Sequence, residues 1–74
     1  MARKISVIIE KDENGYYAFA PELKGCHTQG QTLDEAMSNI REAVELYLES
    51  LDADEVVELS SLEIITGSVE VSVG

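Results

Sequence analysis

The stretch ENGYYAFAPELKGCHTQGQTLDEA, residues 13–36, decides the fold. It holds two of the three tyrosines, the only Phe, Pro, Cys and His, and three of the five glycines. Asn14-Gly15 supplies residues that tolerate positive φ, the strongest short-range hairpin signal in the chain. YYAFA (16–20) then reads as the returning strand. Pro21 ends it, because proline donates nothing to a ladder and restricts Ala20 before it. PELKG (21–25) is a turn or short crossing, and CHTQG (26–30) a short third strand bounded by Gly25 and Gly30. Thr32 predicts a helix N-cap, and Glu35, three residues on, a capping box.

Upstream, KISVIIE (4–10) is dense in β-branched residues. Ile5, Val7 and Ile9 alternate with Ser6, Ile8 and Glu10, the period of a first strand. Downstream, Leu33, Met37, Ile40, Val44, Tyr47 and Leu51 recur at helical spacing, with Ala36, Ala43 and Leu48 widening the stripe. The spacing predicts a helix from Leu33 to Leu51 with an acidic outer surface. DADEVVELSS (52–61) reads as a polar, acidic connection. LEIITGSVEVSV (62–73) reads as a closing strand, bent at Gly67, in which Val69, Val71 and Val73 alternate with Ser68, Glu70 and Ser72.

The expected order is β-β-β-α-β: an α+β two-layer sandwich with one helix on one face of a mostly antiparallel sheet. The helix connection lets the last strand run parallel to the first. One helix cannot cover Ile8, a tyrosine and the last valines together. The apolar surface left over predicts self-association or a protein partner.

The 74 residues form one domain, 1–74, with a thin core of the kind that oligomers reinforce. Fifteen acids against five bases give a formal net charge of -10. Such a surface repels phosphate backbones and anionic membranes and attracts basic partners. The basic start of the chain runs into Glu10–Glu13 rather than into the apolar core of a signal peptide. No apolar run is long enough to span a membrane. A single Cys makes no internal disulfide and suits a reducing cytoplasm.

With these residues in order, the chain resembles the HicB-type antitoxins. The shared pattern is a strand, an acid-plus-glycine turn (Asp12, Gly15), an aromatic strand ending in proline (Tyr16 to Phe19, Pro21), Gly25-Cys26, and a helix start with Gly30, Thr32, Glu35 and Ala36. The match extends over residues 5–50. The resemblance implies a truncated ribonuclease-H-like sheet with one helix. It also implies an antitoxin that occludes the active site of HicA, a small basic ribonuclease. Many members carry a C-terminal DNA-binding module. Here the residues after Leu51 read as acidic linker plus strand, so no separate C-terminal DNA-binding domain is expected.

Four constellations tempt a chemical reading. Cys26-His27 resembles a nucleophile and base, but neighbours on a strand point to opposite faces, and one Cys with one His is too few for a metal. The ribonuclease-H likeness draws attention to Glu10, Asp12 and Glu35, since such nucleases hold two metal ions with carboxylates. Asp12 and Glu35 already have local roles in the hairpin and the cap, and the acidic surface is a poor dock for RNA. Tyr16, Tyr17 and Phe19 have too few basic neighbours to be a base-stacking platform. Glu42, Glu45 and Glu49 share one helix side and are the candidate partner-binding residues. Val69, Val71 and Val73 are the candidate self-association residues.

These readings predict a non-enzymatic, cofactor-free cytoplasmic antitoxin, homo-oligomeric, that binds a small basic HicA-like ribonuclease and no nucleic acid directly. The alternative is a stand-alone oligomeric protein-binding domain of the same fold without a toxin.

Overall fold

A computed structural model describes residues 4–74; the basic start of the chain at residues 1–3 lies outside the described residues. β1 (Ile8–Asp12), β2 (Gly15–Phe19) and β3 (His27–Gly30) form an antiparallel meander in that order. The helix α1 (Leu33–Glu49) and a second, shorter helix α2 (Ala53–Ser60) follow. The α+β class and the β-β-β-α order are as the sequence predicts.

The first hairpin closes with Asp12 opposite Gly15, which leaves Glu13 and Asn14 as its two loop residues. Asp12 Oδ1 accepts from the Asn14 amide at 2.8 Å, an Asx turn. The positive φ falls on Gly15 alone, at +131°. Asn14, which tolerates a positive φ, does not take one here.

Residues 20–26 are two successive turns: Leu23 donates to the Ala20 carbonyl and Cys26 to the Leu23 carbonyl, both at 3.0 Å. Gly25, at φ +79°, sits third in the second turn, where a positive φ calls for glycine. The turns push Leu23 into the core, where it is 2% exposed. Glu22 reaches back to accept from the Ser6 amide at 2.7 Å, fastening the segment before β1.

β2 sends Ala18 inward against the helix and Tyr17 and Phe19 to the other face. α1 lies over β3 and β2 rather than over β1. Its buried residues, Ala36, Ile40 and Val44, meet Ala18, Ala20, Leu23 and Cys26. Ile5, Val7, Ile9, Tyr16, Tyr47, Leu48 and Leu51 close around this core half-buried. Leu33 and Met37, on the predicted stripe, stay 49% and 43% exposed.

The second half departs from β-β-β-α-β in two places. Residues 53–60 are helical, where an irregular acidic connection was expected. Asp52 accepts from the Glu55 amide at 2.9 Å while Glu55 accepts from the Asp52 amide at 3.1 Å, a complete capping box, and Leu59 anchors the helix in the core. Residues 62–74 form neither ladder nor helix, so the closing strand is not part of this sheet. The alternation is present, but the hydrogen bonds that make a strand come from a neighbour, and here none is in place.

Candidate functional site

The acidic side of α1 is built by helical spacing alone. Glu42, Glu45 and Glu49 are all exposed and fall on one side of the helix. Arg41 Nε donates to Glu45 Oε1 at 3.1 Å, with the two side chains 83% and 62% exposed. The base precedes the acid, the weaker orientation for a pair four residues apart, and solvent screens it. Glu42 precedes Glu45 by three residues and Glu49 follows it by four.

Leu46 lies between these acids, four residues after Glu42 and three before Glu49, and is 62% exposed. The sequence reading passed over it. Its signal was a leucine off the apolar stripe, set among glutamates. An exposed apolar side chain beside carboxylates is complementary in chemistry to an apolar contact next to basic groups.

A second acidic feature depends on α2. A groove of about 350 Å³ opens between the 22–24 turn, the end of α1 and α2. Tyr47, Leu51, Leu59 and Leu62 give it an apolar floor, and Glu22, Glu55 and Glu58 edge it beside Lys24. No strand-based reading of residues 52–61 places those carboxylates together.

The candidate chemical groups are held apart or occupied. Cys26 is buried, and desolvation pushes its thiol pKa above the ordinary value, which disfavours the thiolate a nucleophile needs. His27 points to the other face, its ring 5.8 Å from that of Tyr17. Tyr17 also lies 5.7 Å from Phe19, so the aromatics pack on one another on the outer face of the sheet. Asp12 is engaged in the hairpin. Thr32 Oγ1 accepts from the Glu35 amide at 3.0 Å, while the Glu35 carboxylate accepts from Gln31, one residue before the cap, rather than from Thr32 itself. Among the described residues no group of three or more His, Cys, Asp or Glu is arranged to hold a metal ion.

The predicted self-association residues lie outside the sheet. Val69, Val71 and Val73 are 86%, 70% and 92% exposed, on the segment that forms no ladder.

With this geometry in place, comparison with known proteins decides the family. The family model described as the HicB-like antitoxin of bacterial toxin–antitoxin systems matches residues 5–72. The chain belongs to the HicB-like antitoxin family. It is 52% identical over 68 residues to a UPF0150 protein of Helicobacter pylori, covering 92% of this chain and 94% of the relative. A UPF0150 protein of Synechocystis is 58% identical over 50 residues, 66% of this chain and 63% of its own length. One from Archaeoglobus fulgidus is 46% identical over 68 residues, 86% of this chain and 99% of its own. The family match extends beyond the 5–50 motif region and takes in α2 and most of the C-terminal segment. No helix among the described residues is long and apolar enough to cross a membrane.

Proposed function

We propose that this HicB-like protein is a non-enzymatic antitoxin that binds a small basic ribonuclease of the HicA type and occludes its active site. The docking surface is the side of α1 that carries Glu42, Glu45 and Glu49 beside Leu46. One observation carries the reading: Glu49 is the last residue of α1, and the last turn holds no base. A helix C-terminus favours cations, so an acid there works against the helix. Glu42 and Glu45, three apart, and Glu45 and Glu49, four apart, add like-charge repulsion of a few tenths of a kcal/mol per pair. A basic partner relieves both costs, and Leu46 gives it an apolar contact point.

The same reading makes the protein a cytoplasmic homo-oligomer, with the valines of the C-terminal segment as its self-association residues. The single buried thiol suits a reducing compartment. A formal charge of -10 disfavours direct contact with nucleic acid.

The test is affinity capture of the tagged chain from its own cell lysate at low salt, with a high-salt wash and mass spectrometry of both fractions. A small basic protein recovered in near-equal amount and released by salt supports the reading. Its ribonuclease activity is then assayed with and without the chain, and inhibition is expected. Recovery of the chain alone, with good lysate coverage, overturns the toxin partner and leaves a stand-alone oligomeric domain.

A further inference from the structure

Two unsatisfied features sit on the same chain and match each other. The first is the open side of β1. Among the described residues that strand pairs with β2 alone, so its outer edge keeps amides and carbonyls free of any ladder. Because α1 lies over β3 and β2, a groove of about 420 Å³ is left beside the segment that leads into β1, lined by Ile5, Val7, Met37, Ile40, Arg41 and Val44. The second is the C-terminal segment. It leaves α2 at Ser61, forms no ladder, and carries its alternating valines almost fully in solvent.

The periods agree. Val69, Val71 and Val73 repeat every two residues, as do Ile5, Val7 and Ile9 on the core side of the edge. Strands laid side by side keep this spacing at about 3.3 Å per residue. The charges agree as well. Of five bases in the chain, Lys4 and Lys11 flank the edge and Arg41 lines the groove. Lys11 reaches inward, its ammonium 5.8 Å from the Tyr16 ring centre. The acid among the valines is Glu70, so an acidic strand meets the most basic side of an acidic protein.

The reach selects the occupant. The molecule extends 49 × 28 × 20 Å with a radius of gyration of 14.6 Å. A compact chain of this length has a radius of about 11 Å. The segment, exposed and outside any ladder, is not laid on β1 of its own chain.

We infer that residues 68–73 of a second copy add as a strand to the β1 edge and seat Val69, Val71 and Val73 over the groove, each copy of a twofold pair donating its segment to the other. Reciprocal exchange satisfies both edges and both segments and closes the assembly. The inference rests on the self-association half of the proposed function and is independent of the toxin half.

The experiment has two stages. Sedimentation first gives the oligomeric state of the intact chain, with a dimer or a multiple of it expected; a monomer overturns self-association itself. A Val7→Cys chain is then mixed and equilibrated with a mass-tagged Val71→Cys chain, and a short bismaleimide is added. Native Cys26 is buried and stays unmodified. A covalent pair containing one chain of each kind supports exchange. The absence of such a pair overturns it. The triple variant Val69→Lys, Val71→Lys, Val73→Lys alters only exposed positions and brings lysines to a basic edge. Its dimer should weaken at least tenfold while its circular dichroism stays that of the parent. An unweakened dimer overturns the exchange and leaves self-association standing.

Discussion

Gly30 on β3 lies so close beneath Ala36 of α1 that a β-carbon on Gly30 would stand 2.6 Å from the Ala36 amide nitrogen and 3.1 Å from its α-carbon. Both are backbone atoms, so no side chain can turn aside. The start of the helix therefore rests directly on the third strand, and Asn39 pins it one turn later by donating to the Gln29 carbonyl at 3.0 Å.

Gly30→Ala must lift the helix off the sheet. Its expected cost is about 1–3 kcal/mol, in the range of overpacking a tight core. The midpoint of urea unfolding falls while the slope stays that of the parent. An unchanged midpoint would mean that the helix start yields freely.

Leu23 fills the centre of a core made otherwise of alanines, one cysteine and a few aliphatic residues. Leu23→Ala should cost about 2–5 kcal/mol. A domain of this size has about 4–11 kcal/mol in all. The variant should thus be largely unfolded near body temperature, read by loss of amide dispersion in a proton–nitrogen spectrum. A dispersed spectrum at that temperature would show that the 20–26 turns collapse into the space.

What the sequence made legible follows from the range of the forces. The hairpin, the PELKG turn, the short strand ending at Gly30 and the capped helix are specified by residues close to one another in the chain, and all of them form. Thr32 and Glu35 were read correctly as a cap, though the carboxylate takes the Gln31 amide. Asp52 and Glu55 carry the same spacing, and the box was missed because two adjacent valines and four acids disguised the short helix as a linker. The valines beyond Gly67 are a strand by pattern only, since alternation names a face and not a neighbour. The acidic residues of α1 were found by periodicity, whereas Leu46 was invisible to a search for core positions because it lies off the stripe.

Cys26 gives the protein an alkaline sensitivity of definite sign. Burial raises its thiol pKa in the folded state above that in the unfolded chain. Above the unfolded value, about 8.5, the unfolded chain has lost a proton that the folded chain keeps, so stability falls as pH rises. Below that value the contribution is complete and flat. Thermal melts from pH 7 to pH 10 should show this decline in the parent and a shallower one in Cys26→Ala, measured against its own lower starting point. Parallel curves would remove the thiol from the account.

The acidic side of α1 allows binding and stability to be separated. Glu42→Lys with Glu49→Lys removes like-charge neighbours of Glu45 and puts a base at the C-terminal end of the helix, where the dipole favours it. Stability should hold or rise by up to about 1 kcal/mol. Capture of a basic toxin should weaken, mainly through a slower and less salt-sensitive association. Leu46→Ala should leave stability within about 0.5 kcal/mol, since the side chain is mostly in solvent. If Leu46 is the apolar centre of the interface, the same change costs binding 1 kcal/mol or roughly more, read as faster dissociation. A double variant that gains stability and keeps full toxin affinity would move the interface away from α1, and the groove edged by Glu22, Glu55 and Glu58 would be the next surface to charge-reverse.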